Sequence, residues 1–297
     1  MAPAILLAAL LGLHARPARA GSVSRNPAYE TGQVLSELPE EKFVEVNHAR
    51  LEYLDWGGKG QTLILLPGLG DSAHAFDRIA LRFTDRFHVL ALTQRGQPPS
   101  SEPPLGYDLP TLADDIWKVM QALGIARAHL AGAGVAGAEM TRLAALYPHR
   151  ILSLVYLDAY DGADATEVLR GDPAPPPHLP RVSVAARVEG WWKRHPEDYS
   201  VVRCPALAIY EKQTVDPNVP DGAPEDLRTR GDAFWRTDMA AFVTQSATRF
   251  QREVPQGHAV VLDGGSGALL RDHEIDVADA MRRFYATLPP PPPFNHP

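Results

Sequence analysis

Cysteine is almost missing from this chain. Cys204 stands alone, so no disulfide can form within the molecule, and an oxidising compartment is permitted without being indicated. Runs of Lys or Arg are missing too. With 36 acidic against 29 basic residues the formal net charge is −7, which excludes the footprint of a nucleic-acid or anionic-membrane binder. No apolar run approaches the roughly 20 residues that a membrane helix needs. The run at residues 5–13 is short and precedes Ala18-Arg19-Ala20, an A-x-A cleavage pattern. Although Met1 to Leu13 carries no Lys or Arg, the run fits the apolar core of a secretory signal, so export to the periplasm or the medium is expected, with cleavage after Ala20; the alternative is a cytoplasmic protein. Internal repeats are also lacking, which excludes solenoids and propellers.

What remains is a chain of 297 residues, 45% of them apolar, enough for one sizeable core. From Lys42 onward strand and helix signals alternate, which predicts an α/β fold with a mostly parallel sheet and helices on both faces. Residues 42–46 and 50–57 alternate apolar with polar residues, as a half-exposed antiparallel edge should. Residues 62–68, 87–93, 128–133, 151–158 and 205–210 are short apolar runs suited to strands buried on both faces. Between them, residues 109–125 carry Leu112, Ile116, Val119, Met120 and Leu123 at helical spacing. Helices are also expected over 136–147 and 277–288. Residues 159–203 break the rhythm with a Pro-rich stretch and Trp191-Trp192, and read either as a small cap over the sheet or as a surface loop. The organisation expected is a signal at 1–20, an extension at 21–41, the domain at 42–288 and a polyproline tail at 289–297.

Several spacings fall in one order. Pro67-Gly68-Leu69-Gly70-Asp71 comes after a buried strand and Thr93-Gln94-Arg95-Gly96 after the next. Then come the strand at 128–133 with Gly132 to Gly137, the strand ending in Asp158, the strand at 205–210, and Gly257-His258. Together they resemble the α/β-hydrolase superfamily, over about Phe43 to Leu288, in the form of a bacterial member with a short cap. The resemblance implies a nucleophile elbow, G-x-S-x-G, on a sharp strand-to-helix turn. Here the turn reads Gly132-Ala133-Gly134-Val135-Ala136, so the small residues are present and Gly134 stands where the serine hydroxyl would be. By position, the resemblance makes the Leu69 and Val135 amides an oxyanion hole, His258 the catalytic histidine and Asp158 its acid, with Asp216 the alternative acid. Gly264-Gly265-Ser266-Gly267-Ala268 also approximates the elbow motif but lies after His258, against the family order, and reads as a turn. Ser72 reads as an ordinary loop serine. The resemblance implies no cofactor and no metal.

Gly132, Gly134 and Gly137 also match G-x-G-x-x-G, with Asp158 about 20 residues further on, the fingerprint of a dinucleotide site. That fingerprint usually opens the first βαβ unit, whereas about three strands precede it here. Three functions therefore stand open: a hydrolase-like enzyme in which His258 and an acid act as general base on a small ester, lactone or related carbonyl compound; a pseudoenzyme binding a small apolar ligand, with Trp191 and Trp192 lining its pocket or merely packing; and, distantly, a nucleotide-dependent oxidoreductase. The partner expected in each case is a small molecule.

Overall fold

The computed structural model describes residues 38–174, 187, 188, 190, 192 and 198–289. The expected signal, most of the N-terminal extension, nearly all of the proline tail, Trp191 and much of the insertion lie outside the described residues. The strands are β1 (Glu40–Val46), β2 (Ala49–Gly57), β3 (Gln61–Leu66), β4 (Phe87–Leu92), β5 (Ala128–Ala133), β6 (Ile151–Leu157), β7 (Ala206–Lys212) and β8 (Gly257–Asp263). They form one sheet in the order β1-β2-β4-β3-β5-β6-β7-β8. β1, β2 and β4 are joined antiparallel, and every pair from β4 to β8 is parallel. The half-exposed edge and the buried parallel interior are thus where the hydrophobic patterning puts them.

The helices are α1 (Asp77–Ala80), α2 (Leu109–Ala122), α3 (Ala136–Leu146), α4 (Gly162–Leu169), α5 (Glu225–Phe234), α6 (Ala240–Glu253), α7 (Leu269–Asp272) and α8 (Glu274–Thr287). Alternate residues of one strand feed opposite cores: Ile64 and Leu66 join the cluster under α2, α3 and α6, while Leu63 and Leu65 join the one under α1 and α8. That double burial is why the central strands read as continuous apolar runs. Asp108 caps α2 by accepting from Thr111 N, and Leu112, Ile116, Val119 and Met120 are buried as the helical spacing requires. The two helices between β7 and β8 go beyond the sequence expectation. α5 is dominated by charged residues, and a π turn at Trp235–Met239 breaks the phase between α5 and α6, so no single helical period spans the segment.

β3 lies between β4 and β5, so the chain leaves it first to one side and later returns to the other. At such a reversal the loops beyond the carboxyl ends diverge and open a crevice. The loops that border it are those after β3 and β5, which carry Pro67–Asp71 and Gly134.

Candidate active site

The strand-to-helix turn after β5 forms with Gly134 at its tip. Gly134 has φ +54°, in the left-handed region that glycine enters freely, and its N–H donates to Leu157 O at 3.1 Å. The flanking glycines are set by packing: a Cβ on Gly132 would sit 3.0 Å from Ala136 Cβ and Met140 Sδ, and one on Gly137 would sit 2.6 Å from Ala159 Cβ. Close approach of β5, α3 and β6 therefore accounts for the glycine spacing that mimics a dinucleotide fingerprint.

The loop after β3 is held from below. Gly70 N–H donates to Gln97 Oε1 at 3.0 Å, and Ala73 N–H donates to Thr93 Oγ1 at 2.8 Å. Leu69 and Val135 are buried, and neither of their N–H groups finds an acceptor among the described residues. The two residues lie on the loops after β3 and β5, which are neighbouring strands of the sheet.

Asp158 directly follows β6 with φ +46°, an unusual conformation for a residue with a Cβ. Its N–H donates to Ile209 O, and its Oδ1 accepts from Glu211 N at 2.8 Å and from Tyr160 Oη at 3.0 Å. Burial, with Glu211 nearby, pushes the Asp158 carboxyl well above the usual carboxylate range. Glu211 accepts from Gly267 N at 2.9 Å through Oε1, its Oε2 has no partner among the described residues, and burial pushes it up to about 7. Asp216, the alternative acid, turns elsewhere: its Oδ1 accepts from Asn218 N, and its Oδ2 lies against Gly231 of α5, where a Cβ would meet it at 2.3 Å.

A cavity of about 230 Å³ opens at this edge. Phe76, Ile79, Leu157 and Leu269 form its apolar wall, and Asp71, Asp158 and Gly267 also line it. Burial pushes the Asp71 carboxyl up to about 7.

His258 is not at this site. It is the second residue of β8, exposed, and in register with Leu207, which in turn is level with Val155 and Ala131. Three strand spacings and three residues of strand separate it from Gly134, about 14 Å sideways and about 10 Å down the sheet. The expectation fails because residues 259–263 are the strand itself. Gly257-His258 opens that strand at the amino edge, whereas the loops of the site lie at the carboxyl edge. The loop directly after β8 is Gly264 to Gly267. Gly267 has φ +84°, lines the cavity, and a Cβ there would sit 2.7 Å from Gln213 Oε1. Ser266 Oγ donates to Asp272 Oδ2 at 2.7 Å and caps the turn into α7, so it is the turn residue expected. Ser72 is not among the residues lining the cavity. Nor does any histidine line it, and among the described residues no group of His, Cys, Asp and Glu could hold a metal ion. No described helix is long and apolar enough to cross a membrane.

The raised carboxyls have a measurable consequence. Glu211 binds a proton in the folded state up to about pH 7 but releases it near pH 4.5 once unfolded, so between those values unfolding releases a proton. Its contribution to stability is whole below about pH 4.5 and is lost as the pH rises through about 7. Urea midpoints are expected to fall from pH 5 to pH 7.5, and Glu211→Gln is expected to flatten that fall; an unchanged slope would contradict the burial of a protonated Glu211.

The family model for the alpha/beta hydrolase fold matches residues 61–205. The chain is 31% identical over 101 residues to 2-(acetamidomethylene)succinate hydrolase of Mesorhizobium japonicum, which is 34% of this chain and 36% of that protein. It is 35% identical over 116 residues to N-formylmaleamate deformylase of Pseudomonas putida, 39% of this chain and 43% of that protein. These matches thus span well under half the length of either relative. Among solved structures, E-2-(acetamidomethylene)succinate hydrolase superposes with a TM-score of 0.62 at 18% identity, covering 84% of this chain and 100% of that one. An epoxide hydrolase of Bacillus megaterium gives 0.62 at 16% identity, covering 83% and 100%. With its sheet order, its elbow and its loops at the carboxyl edge, the chain belongs to the α/β-hydrolase superfamily.

Proposed function

We propose that this member of the superfamily binds a small, largely apolar ligand at the carboxyl edge of its sheet without forming an acyl-enzyme. The observation that carries the reading is Gly267, which lines the cavity on the loop directly after the last strand, beside Asp158, and offers no imidazole there. Gly134, at the tip of the turn after β5, offers no hydroxyl. A His258–acid dyad is not available to this cavity, so the general-base reading loses its base. The ligand's body would occupy the apolar wall, and its polar end would meet Asp71 and Asp158. Export is part of the proposal, on the apolar run and the A-x-A pattern near the N-terminus.

The test is thermal unfolding against a library of small apolar carbonyl compounds. A ligand at 100 times its Kd stabilises by about 2.7 kcal/mol, which for a domain of this size is a Tm rise of about 5–10 °C. Ala75→Phe, which narrows the cavity from its rim, should abolish that rise. Stabilisation that survives Ala75→Phe, or a library without a single stabilising compound, would contradict the reading.

A further inference from the structure

The cavity at the carboxyl edge has two carboxyl groups on its wall and, among the described residues, no cation paired with either. Asp71 follows β3 and Asp158 follows β6, the two strands that flank β5. Asp158 is 6% exposed, and both of its hydrogen bonds fall on Oδ1, from Glu211 N and Tyr160 Oη. Its Oδ2 has no partner among the described residues and is the oxygen left to the cavity. The Asp71 carboxyl accepts no bond among them either, and burial alone drives it upward. A buried carboxylate is costly unless something of opposite charge meets it, so two of them in one cavity call for a partner.

The protein's own cations nearby are committed elsewhere. Arg78 and Arg271 also line the cavity, yet Arg78 Nε pairs with Glu274 Oε2 at 2.7 Å and Arg271 Nε with Asp272 Oδ1 at 3.0 Å. Arg271 donates in addition to Ser266 Oγ at 2.6 Å. No lysine or histidine lines the cavity. The opposite charge must therefore come with the ligand.

Room and shape narrow the ligand further. An apolar cavity of about 150 Å³ takes up benzene, so about 230 Å³ holds a six-carbon ring with a polar atom beyond it. Phe76, Ile79, Leu157 and Leu269 supply the apolar wall for that ring. A ketone only accepts and meets a carboxyl only where the carboxyl keeps its proton. An alcohol donates once and brings no charge, and an anion is repelled. A primary ammonium carries three N–H donors and a positive charge, enough to bond Asp71 and Asp158 together and neutralise what burial makes costly.

We propose that the ligand of this cavity is a small primary amine bound as its ammonium, its hydrocarbon body on the apolar wall and its charged end held by Asp71 and Asp158. The inference rests on the apolar-ligand reading above and narrows it to one chemical class. The experiment is calorimetric titration of the full-length protein at pH 8, where an alkylamine is charged. Cyclohexylamine should bind tighter than cyclohexanol or cyclohexanone, which share its ring, by about tenfold or more, the worth of one charge-assisted hydrogen bond. Asp71→Asn and Asp158→Asn should each remove most of that preference, and asparagine tolerates the positive φ of position 158. Ala75→Phe should abolish binding of the amine. Amine and alcohol bound equally well would overturn the proposal, as would a preference that survives both asparagine variants. Binding of the neutral compounds alone would overturn it and leave the apolar-ligand reading standing. Binding of none of the three would overturn it and count against that reading as well.

Discussion

Arg95→Ala is expected to lower stability by about 3–5 kcal/mol, because it leaves a buried carboxylate without its counter-ion. Arg95 grips Asp115 of α2 at 2.5 and 2.6 Å, and the two side chains are 3% and 5% exposed. Asn47 adds a bond to Asp115 at 2.9 Å. The pair holds down the loop after β4, whose Gln97 receives the Gly70 amide, so loosening it also releases the loop that carries Leu69. The measurement is thermal unfolding, with a drop of about 6–20 °C expected. Arg95→Met combined with Asp115→Leu should recover most of the loss, since replacing both members of a buried ion pair with apolar groups is often close to neutral. A drop below about 1 kcal/mol in Arg95→Ala would show that the pair does not clamp the loop.

The second large effect is a shortfall. Gly134→Ser returns the hydroxyl to the elbow, yet hydrolysis of short-chain chromogenic esters should stay near background. Members of a Ser–His–acid triad act as a unit, and removing the histidine alone from a serine protease costs about 10⁶ in kcat. In this chain the imidazole expected for the site, His258, sits at the opposite edge of the sheet. His258→Ala should therefore leave the Gly134→Ser protein unchanged in rate, and change stability by no more than about 0.5 kcal/mol, as at other exposed positions. If Gly134→Ser gained saturable turnover that His258→Ala removed, the β8 register would be wrong.

Much of this architecture was legible in the residues. Leu63 to Leu66 announce a strand buried on both faces, and Gly132 to Gly137 announce a turn with close strand–helix packing. The loops that carry Leu69, Gly134, Val135 and Asp158 could be placed because each follows such a signal. His258 could not, because the Gly-His pair says nothing of the bounds of the strand beside it. Residues 259–263 alternate weakly and pair on one side only, at the sheet's edge. Reading them as the strand, instead of the segment before them, moves the post-strand loop to Gly264–Gly267, where Gly267 lines the cavity. Glu211 and Asp71 were invisible for another reason. Nothing local marks a carboxyl whose importance comes from burial by distant loops. The helices α5 and α6 were hidden by charge and by a π turn, both of which blur the helical period.

The proposed function, binding at the carboxyl edge without an acyl-enzyme, requires that the protein bind without turning over. The most direct test is the initial rate of p-nitrophenyl acetate and butyrate hydrolysis by the purified parent protein over a range of substrate concentrations. The result expected is a rate that never saturates and matches the same protein carrying Asp158→Asn. Saturable turnover by the parent, lost in Asp158→Asn, would contradict this reading and show that the cavity hydrolyses esters without a serine.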